Sequence, residues 1–184
     1  GSDEYMTIDG VCSELSDDDA YSFSCWFKTS ESGAAYTYSN MLFSMHKTTG
    51  ANRLRLSVNC TTGGVGFFYS DAGTADEIVG STAYNDGAWH HVALTRAAGA
   101  GGQTLTVYVD GISVETESDS DPNFSDAQLA SIGQEWDGGV AGDFFAGNID
   151  EAAIWDSALT SAQVNDIYNG GVPAALTSLS PLGW

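Results

Sequence analysis

The chain has 184 residues, 42% of them apolar, and its 25 carboxylates outnumber 5 Lys and Arg to leave a net charge of −20. That length suits one domain with a real core, commonly an all-β sandwich. The charge repels nucleic-acid phosphates and anionic membranes, which leaves cations, neutral sugars or basic proteins as partners. Nothing reaches the 18 or so consecutive apolar residues of a membrane-spanning helix. The acidity is uneven, with no Lys or Arg from Ala97 to Trp184. An Asp-rich, Lys-poor surface also suits a saline, extracellular setting, where charges are screened.

In chain order, Gly1-Ser2 reads as a cloning scar, residues 3–172 as the folded domain, and residues 173–184 as a tail or the start of a linker to further domains of a parent chain. The dominant period is two. Tyr21, Phe23, Cys25 and Phe27 alternate with Ser22, Ser24 and Trp26; Leu54, Leu56, Val58 and Cys60 with Arg55, Ser57 and Asn59; Leu105, Val107 and Val109 with Thr104, Thr106 and Tyr108. Each run predicts a half-buried strand. Asp110-Gly111 between Val109 and Ile112 predicts a tight hairpin. Eleven or twelve short strands with no βαβ spacing predict an all-β, two-sheet antiparallel sandwich. One short helix near the C-terminus is expected from Thr160-Ser161-Ala162-Gln163, a capping box, with Leu159 set to staple onto Val164. Asn169-Gly170-Gly171 is its stop. Cys12, Cys25 and Cys60 allow at most one disulfide; the apolar register of Cys25 and Cys60 predicts buried thiols. Asn59-Cys60-Thr61 and Asn123-Phe124-Ser125 match the glycosylation acceptor pattern.

Five segments in order carry a resemblance over nearly the whole chain: EYMTIDG (Glu4 to Gly10), YSFSCWFK (Tyr21 to Lys28), DGAWHHVALTR (Asp86 to Arg96), LTVYVDG (Leu105 to Gly111) and GNIDEAAIWD (Gly147 to Asp156) leading into Ala158-Leu159-Thr160. They resemble the laminin-G-like and pentraxin-like branch of the concanavalin A-like jelly rolls. Gly133-Gln134-Glu135-Trp136-Asp137 is similar to the pentraxin calcium segment. The resemblance implies Ca2+ held by Glu135, Asp137, the Trp136 carbonyl, Asn52 and Asp143. Ala51 stands where a further Asp ligand would be, so one ion is expected there rather than two. A second calcium is implied at Asp150 on the last strand, with carbonyls around Asp9 and Gly10 near the first, as in laminin-G-like jelly rolls.

Chemistry independent of the resemblance supports a cation at the first position. Carboxylates at i and i+2 of an extended segment point to one side, and calcium takes six to eight loosely arranged oxygens. No Lys or Arg stands nearby in sequence to neutralise Glu135, Asp137 and Asp143. Catalysis is not expected. Glycosidases of this fold use E-x-D-x-E, and Gly139 replaces the second Glu. His90 and His91 lie on one strand with no nucleophile elbow. The resemblance implies a calcium-dependent or calcium-stabilised lectin or adhesion module, extracellular, cell-surface or virion-associated, that takes a glycan or glycoprotein through Trp136, Tyr69 and Asn52, with Phe68 packing inside. The competing expectation is a structural or display domain without sugar binding.

Overall fold

The computed structural model describes residues 4–15, 20–32, 40–47, 53–71, 74–99, 102–119, 127–137 and 139–173. Within them lie thirteen strands: β1 (Met6–Thr7), β2 (Tyr21–Lys28), β3 (Met41–His46), β4 (Arg53–Val58), β5 (Val65–Asp71), β6 (Thr74–Val79), β7 (Trp89–Gly99), β8 (Gly102–Val109), β9 (Ile112–Asp119), β10 (Leu129–Ile132), β11 (Glu135–Asp137), β12 (Val140–Gly142) and β13 (Asn148–Trp155). A 3-10 turn, Asp9–Ser13, follows β1, and helix α1 (Ser161–Tyr168) follows β13. Six strands form one antiparallel sheet in the order β1-β10-β3-β4-β5-β6, and five form the other in the order β13-β2-β7-β8-β9; β11 and β12 are a separate hairpin. This is the antiparallel jelly-roll sandwich that the period-two runs predict.

The two sheets meet through alternate residues. Phe23, Cys25 and Phe27 of β2, Val92 and Leu94 of β7, and Leu105, Val107 and Val109 of β8 face Phe43, Met45, Leu54, Leu56, Val58, Phe67 and Tyr69 across one continuous core. Phe23 and Phe43 stack at 4.6 Å between sheets. Because side chains on a strand alternate, the residues between these face outward, and the two outer faces meet different fates.

The outer face of the five-stranded sheet is covered by α1. Ala93, Ala153, Trp155, Leu159, Val164 and Ile167 form a second buried cluster there. The capping box at Thr160 and Gln163 is present in both directions, and Asn169 ends the helix in the left-handed conformation at φ 47°. Asp110 (φ 50°) and Gly111 (φ 78°) make the β8–β9 turn, both left-handed as a two-residue hairpin of this hand requires. Cys60 lies beyond the end of β4, not on it; all three cysteines are buried free thiols. Asn59 is buried, and its side-chain oxygen accepts from the Thr61 and Thr62 amides at 2.9 Å each, so it caps its own turn. Asn123 lies outside the described residues. No helix among the described residues is long and apolar enough to cross a membrane.

Candidate functional site

The outer face of the six-stranded sheet carries polar residues in a single cross-strand row. Ser131 on β10 stands opposite Ser44 on β3, Ser44 opposite Arg55 on β4, Arg55 opposite Phe68 on β5, and Phe68 opposite Glu77 on β6. The β11–β12 hairpin folds over this row. It is pinned by the Gln134 backbone carbonyl, which accepts from the Ser44 hydroxyl at 2.9 Å and the Ser131 hydroxyl at 3.0 Å. With its amide turned so that each group meets a partner, Gln134 also accepts from the Trp136 indole N–H at 3.0 Å.

Glu135 and Asp137 do converge on one side, and what they converge on is arginine. Arg55 Nε lies 2.8 Å from Glu135 Oε2, with both side chains buried. Arg53 Nη1 lies 3.4 Å from Asp137 Oδ1, with the Asp137 side chain 69% exposed. The Arg55 guanidinium also sits 4.9 Å from the centre of the Phe68 ring, a cation–π contact. Burial pushes the Glu135 carboxyl up to about 7, with Arg55 pulling it down and Asp137 and Asp143 pushing it further up. Asp143 is half-buried at φ 48°, its carboxyl raised first by burial and lowered by Arg55. Of the three carboxylates expected to cage calcium, Glu135 and Asp137 thus pair with Arg55 and Arg53 on β4. That is the physical reason this arrangement does not fit a metal cage: two guanidinium groups already supply the positive charge. Among the described residues no group of three or more His, Cys, Asp and Glu is placed to hold a metal ion. Asn52, and Ala51 beside it, lie outside the described residues.

Trp136 points from β11 to the opposite side. It is half-buried, edge-on to Tyr5 at 6.0 Å, and Tyr5 in turn meets Phe144 at 5.9 Å. Tyr5 is 43% exposed, so these three rings form an aromatic rim beside the charged row. Tyr69 does not belong to this surface. It is 8% exposed and stacks on Phe67 within the core, whereas Phe68 lies outside under Arg55. The expectation for this pair is reversed because β5 directs Val65, Phe67 and Tyr69 inward; two consecutive aromatics leave the phase of a strand open until its neighbours set the register.

Asp150 lies elsewhere, on β13 opposite Trp26. It borders a cavity of about 470 Å³ lined in part by Glu4, Tyr5, Met6, Gly133 and Gly147. Asp9 and Gly10 do not line it: Asp9 Oδ1 accepts from the Ala130 amide at 2.9 Å and ties the 3-10 turn to β10. The part of the chain start that borders this cavity with Asp150 is Glu4–Met6.

His90 and His91 point to opposite sides of β7. The His90 ring nitrogens face Asp110 Oδ2 at 2.8 Å and Asp86 Oδ1 at 3.2 Å, which raises its pKa. His91 lies under α1 between the Trp26 and Tyr168 rings at 5.5 and 6.4 Å. Neither His has a nucleophile beside it among these contacts.

No curated protein matches the chain at a significant level. Among solved structures, a carbohydrate-binding module of family 40 from the Ruminococcus gnavus IT-sialidase is similar, at 16% identity and a TM-score of 0.67, over 91% of this chain and 100% of that one. That module has also been solved bound to α2,3- and α2,6-sialyllactose. The heptameric SAP-like pentraxin from Limulus polyphemus is similar at 20% identity and a TM-score of 0.60, over 84% of this chain and 71% of that one. The NanB sialidase from Streptococcus pneumoniae matches at 18% identity and a TM-score of 0.69 over 89% of this chain, which spans 26% of the NanB chain. At such identities the likeness is one of fold. The family model described as the concanavalin A-like lectin/glucanases superfamily matches residues 1–165, and with two antiparallel sheets packed as that fold requires, the chain belongs to this superfamily.

Proposed function

We propose that the chain is a non-catalytic carbohydrate-binding module of an extracellular or surface protein, and that its glycan lies along the β11–β12 hairpin. The observation that carries this reading is the exposed Arg53–Asp137 pair on one side of the hairpin with the Trp136–Tyr5–Phe144 rim on the other. A guanidinium and a carboxylate offer a sugar ring both donors and acceptors of charge-assisted hydrogen bonds, and aromatic faces take its apolar side. A few convergent polar groups among aromatic side chains is the usual make-up of a ligand site. The glycan-bound module from R. gnavus lends the fold-level precedent.

On a glycan array that includes both sialyllactoses, the wild-type protein binds a restricted set of sugars. Trp136→Ala and Asp137→Ala each weaken that binding about tenfold or more without changing the melting temperature by more than a few degrees. Absence of any glycan bound by the wild type would leave a structural or display role in its place.

Calcium has its better-fitting position at Asp150. Glu4, Asp150 and Glu151 all border one cavity, their carboxylates are the hard oxygen donors calcium takes, and no arginine lines that cavity. Bound there, the ion would tie the last strand to the start of the chain. Saturating calcium should raise the melting temperature by several degrees, since a ligand at 100 times its Kd adds about 2.7 kcal/mol. Asp150→Asn should abolish the rise and Asp137→Ala should keep it; a rise lost in Asp137→Ala instead moves the ion to the hairpin.

A further inference from the structure

A smaller cavity adjoins that one at Asp150 and Glu151, on the outer face of the sheet that α1 covers. It measures about 260 Å³ and is lined by Trp26, Trp89, Asp150, Glu151, Gly171 and Pro173. The registers Trp26 with His91 and Lys28 with Trp89 place the two indoles as diagonal neighbours on one sheet face, within reach of each other. Trp89 is 44% exposed, and Trp26, at 4%, is held from behind by Tyr168 at 6.0 Å. An indole that exposed, at the mouth of a hollow floored by a second indole, is not accounted for by packing.

Three observations set the charge of what would fill it. Asp150 and Glu151 both line the hollow, and no Lys or Arg does; Lys28 shares the sheet face but not the lining. Gly171 and Pro173 follow the C-terminal end of α1, whose last turn carries no basic residue, so its partial negative charge is uncompensated there. Glu151 holds a left-handed backbone, φ 51°, at the bulge where the β13–β2 register shifts between Asp150 and Ala153. Glycine would take that conformation at no steric cost, yet a carboxylate occupies it, and strain of this kind concentrates where a side chain must be placed.

Indole faces with carboxylates are the set that recognises a large, weakly hydrated cation. We infer that this cavity binds a small alkylammonium group, its methyl groups against Trp26 and Trp89 and its charge balanced by Glu151. The volume lies below the roughly 300–1,000 Å³ of drug-sized sites, which suits a head group rather than a whole metabolite. This site uses none of the hairpin residues proposed for the glycan, and it shares Asp150 and Glu151 with the neighbouring cavity.

The test is a titration of the chelator-treated, calcium-free protein with tetramethylammonium chloride, read from the indole N–H resonances of the 15N-labelled chain. Two of the five tryptophans, Trp26 and Trp89, should shift saturably. Sodium chloride at equal ionic strength, and tert-butanol as the neutral counterpart of similar shape, should leave them unsaturated. Trp89→Ala should weaken binding about tenfold, and Glu151→Gln several-fold, with glycan binding retained in both. Equal shifts with tert-butanol would reduce the cavity to an apolar hollow, and equal shifts with sodium would reduce the effect to ionic strength. Either result overturns the inference, as does Glu151→Gln binding as tightly as wild type.

Discussion

Replacing Glu135 with Ala at pH 8 should cost about 3 kcal/mol of stability, because it removes the nearest counter-charge of the buried Arg55 guanidinium. For a chain of this length that is a fall in melting temperature of roughly 10 °C. The stated pH is above the value of about 7 to which burial pushes the Glu135 carboxyl, so the group removed is the anion. The pair itself need not be net stabilising against an apolar replacement. The double variant Arg55→Met with Glu135→Leu should recover most of the loss, since exchanging both members of a buried pair for apolar groups is often neutral or better. Equilibrium denaturation of the three proteins decides the matter. A loss below about 1 kcal/mol in Glu135→Ala would mean that water reaches Arg55 once the carboxylate is gone, and the hairpin would then not seal the face.

The second large effect is an acid one, at His91. Burial under α1 lowers the His91 pKa to about 4, with Asp110 opposing the shift. A base whose folded pKa is depressed keeps its full contribution above the unfolded value near 6.5 and loses it as pH falls towards the folded one. The gap between 6.5 and about 4 corresponds to about 3 kcal/mol. Stability should therefore decline by about that amount from this residue between pH 6.5 and 4, as the unfolded chain's imidazole takes a proton that the folded one, among the Trp26 and Tyr168 rings, refuses. Other groups slope the opposite way, His90 and Glu135 among them. His90, raised by Asp110 and Asp86, contributes below the unfolded value and loses that contribution as pH rises through its folded pKa. Glu135, raised towards 7, contributes most below about 4.5 and loses that contribution between 4.5 and 7. The measurement is accordingly a difference: the stability of His91→Phe minus that of wild type, followed from pH 7 to 4. It should grow by about 3 kcal/mol on acidification. A flat difference would place His91 in contact with water and α1 loose on the sheet.

These expectations turn on residues whose type was visible in the sequence and whose partners were not. The alternation Leu54-Arg55-Leu56 announces that Arg55 faces away from the core, and Glu135 and Asp137 at i and i+2 announce a shared side. Nothing local indicates that the two pairs meet, because β4 and β11 are some eighty residues apart and are brought together only by the hairpin folding over the outer face of the six-stranded sheet. With no Lys or Arg after Arg96, the acidic run invited a cation from solution; the sheet supplied one from within the chain. The same limit applies to Asp150. Its place on the last strand was legible, but whether it meets Asp9 or Glu4 depends on how β1 and the 3-10 turn seat against β10.

The fold class and the parts whose causes are local were legible along the chain. Period-two runs specify strands, Asp110-Gly111 specifies its turn through left-handed backbone, and the Thr160–Gln163 box starts α1, all because the relevant interactions span a few residues. Tertiary structure alone decided the phase of Phe68 and Tyr69, the partners of Glu135 and Asp137, and the pairing of Trp26 with Trp89 at one hollow. Each of these is set by inter-strand register and by which face a distant element covers, and a strand's own alternation leaves both of its faces equally open until a neighbour closes one.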